Sequence, residues 1–178
     1  DPTLIKTDQI YHCKEVLGRK YYHGYYGPNT IYENAIDYAV FRLDRPVKDR
    51  DPLRVRTEGT IEIGTPLAVA GYPTGMPLKI AQGGKVIGIS ENGYNINSTI
   101  DSVRGNSGSV VLNTETHLVE GVLVAGSYNR FEKHGDCYKH ITCKENEIED
   151  KGEDCRGSWF YNITAFNQFI PEMAPTED

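Results

Sequence analysis

Between two runs of strand-like composition lies the segment Asp101-Ser102-Val103-Arg104-Gly105-Asn106-Ser107-Gly108-Ser109. A serine hydroxyl is a poor nucleophile at neutral pH. To attack a carbonyl it needs a neighbouring base, and it needs backbone N–H donors aimed at the oxyanion that forms. Gly105 and Gly108 flank Ser107 and permit a turn tight enough to point the N–H groups of Gly105 and Ser107 at one spot. On its own this pattern is also that of a serine in a glycine-rich hairpin. A second segment, Ala35 to Leu43, sets Asp37 at the mouth of an alternating apolar strand. A carboxylate there can hold an imidazole in one tautomer and stabilise the imidazolium. An aspartate that only caps a strand start has the same local sequence.

The elements that must position these residues are short β-branched and apolar runs bounded by Gly, Pro and Asn. They fall at Ile10 to Leu17, Tyr38 to Leu43, Pro66 to Gly71, Leu78 to Ser90, Tyr94 to Ile100, Gly108 to Leu112, Leu118 to Ala125 and Ser158 to Ile163. The pattern predicts an all-β, antiparallel protein. The stretch Arg45 to Gly64, with its charges, Pro46 and Pro52, suits an exposed connector. It divides the chain into residues 1–47, a connector at 48–64, and residues 65–178. The runs after the connector suffice to close one small barrel, whereas those before it leave any matching first barrel incomplete. Residues 129–157 hold Cys137, Cys143 and Cys155 among many acidic side chains and read as a disulfide-pinned surface loop. Ala165 to Met173 is expected to form a short closing helix.

Composition narrows the function classes. With 178 residues, a formal charge of −6 and a pI near 5.4, the chain lacks the concentrated basic surface that a nucleic-acid partner requires. No apolar run is long enough to cross a bilayer, and no signal peptide opens the chain. The start at Asp1 leads us to expect a processed product or a fragment whose export signal is already missing. The four cysteines, with no C-x-x-C pair, fit disulfides in an oxidising compartment, and hence a secreted or periplasmic protein. His134, Cys137, His140 and Cys143 recur at every third position, which is not a zinc spacing, and the acidic run lacks a calcium-loop pattern. No metal or other cofactor is expected. The N-x-[ST] sequons at Asn97 and Asn162 carry little information without a source.

Together the segments resemble a family. The D-Y-A-V-F-R-L run from Asp37 is similar to a block of chymotrypsin-like proteases. The G-N-S-G-S run from Gly105 resembles that of the secreted bacterial trypsin-like and glutamyl-endopeptidase-like branch. The V-A-G-Y-P-T-G run from Val69 and the E-G-V-L-V-A-G run from Glu120 are similar to further blocks of that branch, and all four stand in the family's order. The resemblance implies a chymotrypsin-like double six-stranded antiparallel barrel, the second barrel complete and the first only partly present. It implies Ser107 as nucleophile, Asp37 as triad acid, the N–H groups of Gly105 and Ser107 as oxyanion hole, and Val124-Ala125-Gly126 as the strand that pairs with a peptide or protein substrate. Asp101-Ser102 resembles the Asp-Ser pair at the floor of the trypsin primary pocket, which would select Arg or Lys. Asp also occurs there in bacterial relatives without that specificity.

The departures are informative. Asn106 stands where many animal members carry an Asp that pairs with a new N-terminal ammonium, so that activation switch is not expected. Val110 replaces a frequent Pro. No T-A-[AG]-H-C block for the catalytic histidine occurs in these residues. His12-Cys13 is preceded by Ile10-Tyr11, lies close to Asp37, and reads better as strand, while His23 and His117 read as turn residues. The resemblance thus implies a serine endopeptidase whose histidine lies on an upstream segment or a separate chain. The alternative is a protease homologue without the histidine that acts as a peptide- or protein-binding module. An acyl-transfer or esterase activity on the same scaffold ranks last.

Overall fold

The computed structural model describes residues 4–22, 36–48, 50–126, 131–140 and 157–170. Each expected run overlaps a strand, with shifted ends: β1 (Cys13–Tyr22), β2 (Ile36–Leu43), β3 (Pro66–Gly71), β4 (Lys79–Ile89), β5 (Asn95–Ser98), β6 (Val110–Asn113) and β7 (Val119–Gly126). After β8 (Phe131–His134) and β9 (Cys137–His140), β10 (Ser158–Asn162) completes the series. Strands β3, β4 and β5 form a meander, and β10 pairs with both β5 and β7, so the order β10-β5-β4-β3-β6-β7 closes into an antiparallel barrel. β1 and β2 form a separate antiparallel pair. One complete six-stranded barrel beside a fragment of another is the expected chymotrypsin-like architecture with a partial first barrel.

Inward-pointing Leu67, Val69, Val86, Ile96, Val111, Leu123 and Phe160 fill the barrel, and each is almost wholly buried. Full burial of one such side chain stabilises by roughly 1.5–3 kcal/mol. A second cluster joins the two parts of the molecule. Ile36, Tyr38 and Val40, alternate residues of β2, pack on Val119, Tyr161, Ile163 and Phe166. Tyr38 lies 4.9 Å from the Phe166 ring and 6.1 Å from that of Tyr161. Because strand side chains alternate, Asp37 is turned away from this cluster.

Three expectations need correction. The connector is not simply exposed: Ile61 belongs to the barrel core, and Val55 bridges to Val119. Arg56 makes a two-pronged contact with Glu120, Nε to Oε2 at 2.6 Å and Nη2 to Oε1 at 2.8 Å, and Asn113 Nδ2 donates to Glu120 at 2.9 Å. A fully buried carboxylate requires such partners. The segment from residue 129 is not loop throughout, since β8 and β9 form a hairpin across Gly135-Asp136, with Gly135 at φ 61° supplying the turn. Within it Cys137 is an exposed free thiol, as is Cys13 on β1, while Cys143, Cys155 and most of the acidic run lie outside the described residues. The terminal helix is a 3₁₀ segment, Ile163–Phe169, that begins earlier than expected because Asn162 caps it, its Oδ1 accepting from Thr164 N. Residues 171–173 lie outside the described residues.

Two outcomes follow. Replacing Arg56 with Ala strands the Glu120 carboxylate and should lower unfolding free energy by about 3 kcal/mol in urea titrations, whereas the joint change R56M/E120L should cost far less. Burial, with Tyr94 and Tyr38 adding to it, pushes the Tyr161 phenol up to about 12 from its ordinary 10.0. Its folded-state pKa is raised, so the neutral form is favoured by folding and stability is lost as pH climbs from about 10 to about 12. Melting curves across that window should fall more steeply for the native chain than for Tyr161→Phe.

Candidate functional site

Ser107 sits in the turn between β5 and β6, and the physical chemistry of that turn fixes its surroundings. Gly105 and Gly108 hold φ values of +95° and +84°, a region that side chains disfavour. Asn106 N bonds Val103 O at 3.2 Å and Ser109 N bonds Asn106 O at 2.9 Å, which closes the turn on itself. Gly108 N bonds Leu123 O at 2.7 Å, and Leu123 N bonds Ser109 O at 2.9 Å, which ties the turn to β7. The N–H groups of Gly105 and Ser107 have no acceptor among the described residues. Ser107 is exposed, and its Oγ donates to Val124 O at 3.1 Å.

Ser102, Val103, Arg104, Gly105, Ser107 and the β7 residues Leu123 to Gly126 line a cavity of about 110 Å³. This is below the roughly 300–1,000 Å³ of small-molecule sites and is scaled to a side chain. β7 is paired with β10 as far as Gly126, yet beyond Val122 no described strand covers its β6-facing edge, and Ala125 and Gly126 border the cavity on that side. The structure therefore gathers Gly105, Ser107, Val124, Ala125 and Gly126 at one place.

Asp101 is half-buried and is not among the lining residues, whereas its neighbour Ser102 is. Asp37 lines a different, more open hollow with Arg19, Lys20, Tyr21, Tyr38 and Ala39, and no residue is common to the two. The Asp37 carboxylate is exposed and meets no donor side chain among the described residues. None of the described histidines lines the cavity: His12 precedes β1, His117 is in the β6–β7 turn, His134 is on β8 and His140 ends β9. His23 lies outside the described residues.

The family model described as a trypsin-like peptidase domain matches residues 13–122, which include both Asp37 and Ser107. The chain belongs to this family. It is also similar to the Rv3671c protease from M. tuberculosis in its active form, with 17% identity and a TM-score of 0.47 over 78% of this chain and 56% of that one. The match thus spans little more than half of that protein. No curated protein matches the sequence.

In this trypsin-like peptidase domain, sequence reasoning missed two residues around the Ser107 turn. Arg104 is the one ionisable side chain among the described residues lining the cavity. Thr74, inside a sequence block already noted, donates its backbone N–H to Arg104 O at 3.0 Å. Its contribution comes from the backbone, so residue type gave no signal for it. Below the turn, Asn106 is buried, its Nδ2 donates to Ser102 Oγ at 3.3 Å, and its Oδ1 has no partner. No cation among the described residues awaits an acid there. Asn106→Asp would bury an unpaired charge and should destabilise the chain by about 1–3 kcal/mol at neutral pH, measured by chemical denaturation. A stability gain would show that a cation reaches this site.

Proposed function

We propose that this domain carries the nucleophile of a serine endopeptidase. Ser107 attacks the peptide carbonyl, the N–H groups of Gly105 and Ser107 hold the oxyanion, and the open edge of β7 at Val124–Gly126 pairs with the substrate backbone. The observation that carries this reading is an exposed serine hydroxyl in a side-chain-sized cavity, flanked by two unengaged backbone donors. On this reading Asp37 orients an imidazole that takes the Ser107 proton during attack and returns it to the leaving amine. No described histidine lines the cavity, so on this reading the imidazole comes from an upstream segment or a separate chain. Its segment would pack on the outer face of β1–β2, where Val16 and Phe41 pair across the strands and both remain exposed. The Arg or Lys preference suggested by Asp101 gains no support from the cavity lining, and the reading does not depend on it.

The absence of any described histidine from the cavity favours one rival, a domain that holds peptides along β7 without cleaving them. Turnover of an activated ester separates the two. Residues 1–178 alone should show only a residual enhancement of about 10³–10⁴ over water. A longer chain that includes an upstream histidine block should be faster by orders of magnitude, and Ser107→Ala should abolish the gain. An extended chain no faster than residues 1–178 would leave the binding module.

A further inference from the structure

The two backbone donors beside Ser107 are held by different means. In a trans peptide the C=O and N–H point in opposite directions, and no described peptide bond is cis. The Asn106–Ser107 peptide is fixed inside its own turn, because Asn106 O accepts from Ser109 N, which leaves the Ser107 N–H facing the other way. The Arg104–Gly105 peptide has no such anchor in the turn. Its carbonyl is held from outside, by Thr74 N at 3.0 Å, so its N–H faces away from Thr74.

Thr74 adopts φ 53° and ψ 27°, a left-handed conformation that is costly for a β-branched residue. The turn around it is otherwise well tied: Thr74 Oγ1 donates to Pro73 O at 2.8 Å, and Met76 N donates to Pro73 O at 3.0 Å. Approach to the nucleophile turn is close enough that a Cβ on Gly105 would stand 2.6 Å from Thr74 N and 3.3 Å from Thr74 Cα. Glycine at 105 admits this contact, and it also leaves the peptide able to rotate once the contact is lost.

We propose that the turn from Tyr72 to Gly75 is a latch that fixes the Arg104–Gly105 peptide with its N–H on the nucleophile's side, with Thr74 as a positioning residue acting through its backbone N–H. The importance of the latch for chemistry rests on the reading of Ser107 as nucleophile; its effect on peptide orientation does not. The latch accounts for a formed donor pair above a neutral Asn106. It takes its hold from the β3–β4 connection and not from an ion pair beneath the turn.

The test exchanges the Thr74 N–H for an ester oxygen by incorporating the α-hydroxy acid of threonine, with Thr74→Gly as a second variant that keeps the N–H and tolerates positive φ. Crystal structures of both should show the Arg104–Gly105 peptide rotated or in two orientations in the ester variant, and unchanged in Thr74→Gly. An unrotated peptide in the ester variant, or a rotated one in Thr74→Gly, overturns the latch. In an active chain extended to include the histidine, the ester variant should lose about 10²-fold in kcat with KM little changed, the signature of one lost oxyanion donor, and Thr74→Gly should retain activity. A rise in KM at constant kcat would contradict the assigned role. If the extended native chain shows no turnover, the serine endopeptidase reading falls, while the latch is still decided by peptide orientation.

Discussion

Closure of the barrel by β10 is the constraint from which the site follows. β10, the last described strand, pairs with β5 on one side and β7 on the other, with Phe160 fully buried between them. That pairing occupies one edge of β7 from Gly121 to Gly126. The other edge is taken by β6 only as far as Val122, because the chain between β5 and β6 turns sharply at Gly105 and Gly108 and lays Ser107 beside Val124. A strand edge that no described strand covers, the Ser107 hydroxyl and two backbone donors with no acceptor among the described residues therefore meet where β6 leaves β7. Moving β10 would alter all three together.

The same closing strand supports the second part of the molecule. Tyr161 faces the aromatic cluster that receives Tyr38, and the helical turn capped by Asn162 brings Phe166 and Phe169 onto β1 and β2. Asp37, next to Tyr38, is directed to the opposite face, where β1 and β2 leave apolar residues uncovered. The barrel is self-sufficient in its core; the β1–β2 pair is not, since two strands bury little without a further layer. The cavity beside Ser107 is accordingly walled by the barrel, whereas Asp37 stands on the exposed face of the β1–β2 pair.

Much of this was legible in the sequence. Short apolar and β-branched runs bounded by Gly, Pro and Asn located the barrel strands, and the glycines around Ser107 marked a special turn. The misreadings have physical reasons. The hairpin of β8 and β9 was hidden because attention to cysteines and acidic residues outweighed a Gly-Asp turn between short runs. Arg56 and Glu120 find each other only in three dimensions, since a long-range ion pair has no local pattern, so the connector looked more exposed than it is. Thr74 acts through a backbone group common to almost every residue. The position of Asp101 behind Ser102 depends on which of two neighbours turns toward the cavity, and composition does not decide that.

The most direct measurement is a crystal structure of the chain after exposure to a small fluorophosphonate, which mimics the tetrahedral intermediate. The adduct should sit on Ser107 Oγ, with its phosphoryl oxygen roughly 2.7–3.1 Å from both Gly105 N and Ser107 N. An adduct on another residue, or one on Ser107 whose oxygen points to solvent with both N–H groups unengaged, would contradict the assignment of this turn as a nucleophile and its oxyanion hole.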